Sequence, residues 1–234
     1  LMGIEGGHAI EDSLGLLRDF YALGIRYMTL THSNTNNWAD SSGDVTDSKI
    51  MHHNGLTPFG KDVVREMNRL GMIVDISHVA DKTFWDALEV SKAPIFASHS
   101  SCRALADAPR NMTDEMIVAL AKKGGVVQVN FNCGFVSQRF RNATAEQQKT
   151  MRASFEELLA HIDHIKKITG IDAIGIGSDF DGVDCVPEQL DDVSKFPNLT
   201  RALLERGYSA MDIRKIYGLN TLRLMRGVEA AAGK

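Results

Sequence analysis

Cysteine is scarce in this chain: Cys102, Cys133 and Cys185 are the only three in 234 residues. They are too few and too scattered for a disulfide framework or the paired spacing of a zinc knuckle, so free thiols in a reducing compartment are expected. Positive charge is not in excess either. Against 26 Lys and Arg stand 30 Asp and Glu, a formal net charge of -4, which removes the electrostatic footprint of a nucleic-acid binder. No apolar run approaches the roughly 18 residues that span a bilayer, and no basic-then-apolar targeting segment is visible, which favours a cytoplasmic protein. Internal repeats and low-complexity tracts are missing. Gly175-x-Gly177 lacks the third glycine and helix start of a dinucleotide fingerprint, and that function is dismissed.

What the chain has is apolar residues, 44% of the total, enough for one large core. We read residues 1–234 as a single α/β domain. Its organising stretch is a pair of phrases, Ile73-Val74-Asp75-Ile76-Ser77-His78 and Pro94-Ile95-Phe96-Ala97-Ser98-His99. Each is a short buried strand ending in Ser-His, and the helical pattern 81–92 between them makes a βαβ unit. Four more segments have the same character and end at Glu5, His32, Asn130 and Asp179. Such a fold carries its active site at the carboxyl ends of the strands.

Helices are expected between these strands. One carries Leu14, Leu17, Phe20 and Tyr21 and stops at Gly24; a second follows Thr57-Pro58 and stops at Gly71. Asp81 is expected to cap a third with Phe84, Trp85 and Leu88 on its apolar face. Thr113 starts a fourth, a Thr144/Gln147 capping box opens a long fifth through Ile165, and Ser209/Asp212 open another near the C-terminus. The connections 33–56 and 131–143 are long enough to shape a binding site. A closed parallel barrel needs more than these six βα units, so the expected fold is a TIM-like (β/α)8 barrel with about six of eight units present and two upstream of Leu1.

Glu5, His78 and His99 make a His2Glu donor set of the kind that holds hydrolytic zinc and leaves a place for water. A lone strand-end histidine is more often a satisfied core residue; two in matching contexts with a carboxylate tilt the reading toward metal. His32 is either a further ligand, a donor to a substrate oxygen, or a partner of the Asn-rich loop that follows it. Asp179, in Gly175-Ile176-Gly177-Ser178-Asp179-Phe180-Asp181-Gly182, is placed for proton transfer, whereas Asp181 reads as a turn residue. Arg110 can clamp an anionic group, and Asn130 is a candidate substrate contact. His161 and His164, beside Lys166 and Lys167, read as solvated; His8 reads as a second-layer partner of Glu5, and His52 and His53 as loop residues.

Taken together, Ile4-Glu5-Gly6-Gly7-His8, Leu30-Thr31-His32-Ser33, Asp75-Ile76-Ser77-His78, Ser98-His99-Ser100-Ser101, Val129-Asn130-Phe131 and Gly177 to Gly182 resemble the renal (membrane) dipeptidase family of zinc metallopeptidases. The resemblance implies a binuclear zinc site in a TIM-like barrel. Glu5 would bridge two ions, His78 and His99 would hold the second, and a metal-bridging hydroxide would hydrolyse dipeptides bearing a free C-terminal carboxylate. In that family His32 would meet the substrate near its scissile carbonyl, Arg110 its carboxylate, and Asp179 would shuttle the proton. The family's His-x-Asp pair for the first metal has no counterpart here. Other readings remain: an amidohydrolase for lactones or N-acyl amino acids, or an inactive ligand-binding barrel. The expected partner is a small dipeptide, with a homodimer as one assembly to test.

Overall fold

The computed structural model describes residues 1–233. Six strands, β1 (Met2–Glu5), β2 (Ile25–Thr29), β3 (Ile73–Asp75), β4 (Phe96–Ala97), β5 (Val126–Val129) and β6 (Ile174–Ile176), follow one another in chain order through one α/β sheet. The pairings of β1 with β2, β2 with β3, β3 with β4 and β5 with β6 are parallel. All six strands expected from the sequence are present, several of them shorter than their apolar runs.

By contacts the chain divides into two compact units, residues 1–98 with 122–125 and 222–234, and residues 99–121 with 126–221. In the first, α1 (Leu14–Ala22), α2 (Pro58–Leu70) and α3 (Asp81–Val90) link successive strands. Ser13 Oγ caps α1, Thr57 Oγ1 caps α2 with Pro58 at its first position, and Gly71 closes α2 in the left-handed conformation, φ 81°. Helix α3 departs from expectation. Its cap is Ala80 and Asp81 lies inside the first turn, where a carboxylate still meets the positive end of the helix. Trp85 is 40% exposed, because only the Phe84 and Ala87 side of this helix faces the core.

The register of the first unit sets Glu5 beside Thr29, Thr29 beside Asp75 and Asp75 beside Phe96. Asp75 is fully buried and ties this row together. Its carboxylate accepts from Thr29 Oγ1 at 2.6 Å, Ser98 N at 2.9 Å, Ser98 Oγ at 2.6 Å and Ser77 N at 3.1 Å. The residues that follow β3 and β4, His78 and His99, therefore leave the sheet from a fixed edge.

The second unit contains α4 (Asp114–Lys122), α5 (Cys133–Val136), α6 (Gln138–Asn142), α7 (Ala145–Gln148), α8 (Phe155–Thr169), α9 (Phe196–Glu205) and α10 (Ala210–Arg214), with residues 122–125 at the end of α4 grouped with the first unit. The terminal α11 (Asn220–Ala231) belongs to the first unit from Leu222 onward. Here the single long fifth helix is corrected. The Thr144/Gln147 box opens only α7, and a second box, Ser154 with Glu157, opens α8. His161 is corrected too: it is fully buried on the face of α8 that carries Leu158, Ile162 and Ile165. His164 is half-buried and pairs with Asp114 at 2.8 Å.

The expectation of free thiols fails for two of the three cysteines. Cys133 and Cys185 form a disulfide, and Cys102 alone is free. Cys102 is buried, and that burial pushes its thiol well above the usual range.

Candidate metal centre and substrate-binding loops

Glu5 ends β1, and its Oε1 lies 3.0 Å from His78 Nε2 while Oε2 lies 3.9 Å from His32 Nε2. The rings of His32 and His78 are 4.6 Å apart. His78 takes a left-handed backbone, φ 67°, a conformation that costs a non-glycine residue about 1–2 kcal/mol. Its carbonyl oxygen is the reason the conformation holds. Thr31 Oγ1 donates to it at 3.0 Å, Ser42 N at 2.8 Å and Ser42 Oγ at 3.0 Å, with Ser41 Oγ at 3.1 Å.

Ser41 and Ser42 belong to the long 33–56 connection, which is built around carboxylates. Asp40 accepts from His53 N and Gly55 N, both at 2.8 Å, and Asp44 accepts from Thr35 N at 2.6 Å. Asn36 Oδ1 accepts from Trp38 N and Ala39 N. His53 Nε2 meets Asn36 O at 2.8 Å, so this histidine also holds the loop in shape. Ser41 Oγ approaches His32 O at 2.5 Å, which joins the loop to the second histidine of the cluster. A cavity of about 490 Å³ opens beside His32 and is lined by His8, Glu11, Asp12 and the stretch 34–37.

Each of Glu5, His78 and His99 offers one ligand atom, and these atoms lie within 4.8 Å of one another. Among the described residues this is the one group of three such side chains with metal-holding spacing. Two imidazoles and a carboxylate are the donors a borderline-soft divalent ion such as zinc prefers. The residues fit the group that the sequence implied.

The second unit assembles the other candidates. Asp179 follows β6 in a left-handed conformation, φ 61°, and its Oδ2 accepts from Asn130 Nδ2 at 3.0 Å. Asn130 is fully buried and its own Oδ1 accepts from Asn132 N. A side chain at position 182 would meet Asp179 Oδ1 at 2.3 Å, so Gly182 is the space in which this carboxylate sits. Asp181 also has positive φ, 67°, as its reading as a turn residue requires. Arg110 donates from Nη1 to Ser100 Oγ at 2.8 Å, and its guanidinium lies over the Phe135 ring at 5.6 Å. This cation–π contact and the hydrogen bond to Ser100 support the guanidinium from two sides.

The sequence assigned no role to Asp75, to the Ser41-Ser42 pair or to Ser100. Asp75 had a signal, a carboxylate inside an apolar strand where only a hydrogen-bonded role makes its burial affordable. The serines had none, since their importance comes from a loop that folds back onto His78.

Comparison with known proteins shows the family of this chain. The family model for membrane dipeptidases (peptidase family M19) matches residues 1–234. An uncharacterized dipeptidase of Schizosaccharomyces pombe is 46% identical over 230 residues, 98% of this chain and 53% of that protein. Dipeptidase 3 of Macaca fascicularis is 39% identical over 229 residues, 98% of this chain and 45% of its own length. A solved metallo peptidase from Rhodobacter sphaeroides, liganded with a phosphinate mimic of the dipeptide L-Ala-D-Ala, superposes with a TM-score of 0.86 at 30% identity, over 97% of this chain and 63% of that one. The chain spans about half the length of the curated relatives it matches. Matched by the family model along its whole length, the chain belongs to the membrane dipeptidase family, peptidase family M19.

Proposed function

We propose that this chain is part of a zinc-dependent dipeptidase that hydrolyses dipeptides with a free C-terminal carboxylate. The observation that carries the reading is the Glu5, His78 and His99 donor group. Glu5, His78 and His99 would hold the ion, which would supply Lewis-acid polarisation and a water of lowered pKa. One oxygen of Glu5 faces His78 and the other faces His32, so this carboxylate stands between the ligand histidine and the substrate-facing one.

The chain's own groups divide the remaining work. His32 donates a hydrogen bond from its ring to the oxygen of the scissile carbonyl. Asp179 accepts a proton from the attacking water and returns it to the leaving amine. Asn130 holds the Asp179 carboxylate through its amide and offers a contact to substrate. Arg110, with its guanidinium over Phe135, takes the substrate's carboxylate with its fork and so restricts the enzyme to short peptides. The strands are read as six units of a TIM-like barrel. No helix among the described residues is long and apolar enough to cross a membrane, and the Cys133–Cys185 disulfide suits an oxidising compartment better than the cytoplasm.

The test is turnover of dipeptides, a simple lactone and an N-acyl amino acid by the zinc-loaded full-length protein. Dipeptides are expected to be hydrolysed fastest, with close to two zinc ions bound per chain. Undiminished activity in His99→Ala would sink the assignment, and a preference for the lactone would transfer it to another amidohydrolase.

A further inference from the structure

Asp179 sits in a stretch with no regular secondary structure. Residues 177–187 leave β6 without forming a helix, and two of three consecutive positions, Asp179 and Asp181, hold left-handed backbone at φ 61° and 67°. Strained positions of this kind persist only where their surroundings over-determine them. The surroundings here form a ladder between this stretch and the one that follows β5. Asn130 meets Asp179, Phe131 meets Phe180 edge-on at 5.7 Å between centroids, and Cys133 is bonded to Cys185. Cys133 N also donates to Cys185 O at 3.0 Å. The two loops thus carry, in order, an amide–carboxylate pair, an aromatic pair at the next position of each, and a covalent pair at Cys133 and Cys185.

We propose that the Cys133–Cys185 disulfide is a positioning pair for Asp179, fixing the far end of the strained loop so that its carboxylate stays against Asn130. This rests on the reading of Asp179 as the proton-transfer group. The cross-link is not needed to the same degree by Arg110. Helix α5 is held at its other end, where Asn111 Nδ2 donates to Phe135 O at 2.8 Å and His161 Nε2 lies 2.9 Å from Val136 O. Phe135 therefore stays under the guanidinium when the disulfide opens. The two groups separate in kinetics: opening the cross-link lowers kcat through Asp179 and leaves KM, set through Arg110, nearly unchanged.

Three samples of the zinc-loaded full-length protein test this at one temperature: wild type, wild type reduced with a phosphine that does not strip zinc, and the Cys133→Ser/Cys185→Ser double variant. Near-ultraviolet circular dichroism monitors folding in each. The expected result is a kcat about ten-fold to a hundred-fold lower in both opened forms, a KM within about three-fold of wild type, and recovery of kcat when the reduced wild type is reoxidised. A kcat within about two-fold of wild type in either folded, opened form would overturn the positioning role. Loss of the folded signal in both opened forms would overturn it as well, since the bond would then hold the whole unit together. An oxidised wild type that hydrolyses no dipeptide would instead overturn the dipeptidase reading and take the positioning role with it.

Discussion

Glu5 Oε1 stands 3.0 Å from His78 Nε2, and His78 reaches that position from a left-handed backbone with φ 67°. The unfavourable conformation is maintained by the donors gathered on its carbonyl, Ser42 supplying both its N–H and its hydroxyl. Removing the imidazole and loosening its support are therefore expected to differ in degree. In zinc titrations of the full-length protein, His78→Ala should lose about a hundred-fold or more in affinity, because a ligand is gone. Ser42→Ala should lose about ten-fold, the usual cost of an outer-layer partner. Wild-type affinity in His78→Ala would remove this histidine from the metal centre.

Gly182 tests Asp179 from the opposite side. An added Cβ meets Asp179 Oδ1 at 2.3 Å, and the atom that must yield is the free end of a side chain. The stability cost of Gly182→Ala is therefore expected to stay below about 1 kcal/mol. The activity cost should be much larger, about ten-fold to a hundred-fold in kcat, since the displaced group carries the proton. Equal kcat for the variant and wild type would show that the carboxylate's position is immaterial.

The extent to which these features could be read beforehand depended on how local their causes are. Glu5, which ends β1, and His78 and His99, which lie just past β3 and β4, stood out because a polar residue closing an apolar run is visible within six residues of sequence. The caps of α1 and α2 were legible for the same reason. The Cys133–Cys185 bond was not, since its partners are separated by 52 residues and meet only because two loops run side by side. The misreading of α8 had a local remedy: Ser154 and Glu157 form a capping pattern as plain as the one at Thr144. His161 was misjudged from its lysine neighbours, although its spacing from Leu158 and Ile165 places it on the apolar stripe.

Arg110 is expected to set selectivity for the substrate's terminal carboxylate. Ser100 and Phe135 hold the guanidinium in place, and a lysine ammonium would reproduce neither the fork nor the stacking. Arg110→Lys should lower kcat/KM for dipeptides by about thirty-fold to a hundred-fold, mostly through KM. The corresponding dipeptide amides, which lack the charge, should show little difference between variant and wild type. An equal loss on both substrates would place Arg110 away from the carboxylate.

His161 gives the protein an acid sensitivity whose direction follows from its burial. Its Nδ1 accepts from Cys102 N at 3.0 Å and its Nε2 meets Val136 O at 2.9 Å, so the neutral ring with hydrogen on Nε2 satisfies both neighbours. Burial is the main cause that pushes its pKa down to about 4, against 6.5 for an ordinary histidine. Above about pH 6.5 the ring is neutral whether the chain is folded or not, and this residue adds no pH dependence. Below that pH the unfolded chain takes up a proton that the folded chain refuses until about pH 4. Stability is thus lost as pH falls through this window, by up to about 3 kcal/mol from this group. Asparagine at this position keeps an acceptor for Cys102 N but cannot titrate. In urea unfolding at pH 7.5 and pH 5, His161→Asn is expected to start out less stable than wild type. Between the two pH values it should then lose about 2 kcal/mol less. Parallel losses in the two proteins would show that acid unfolding is driven by other groups.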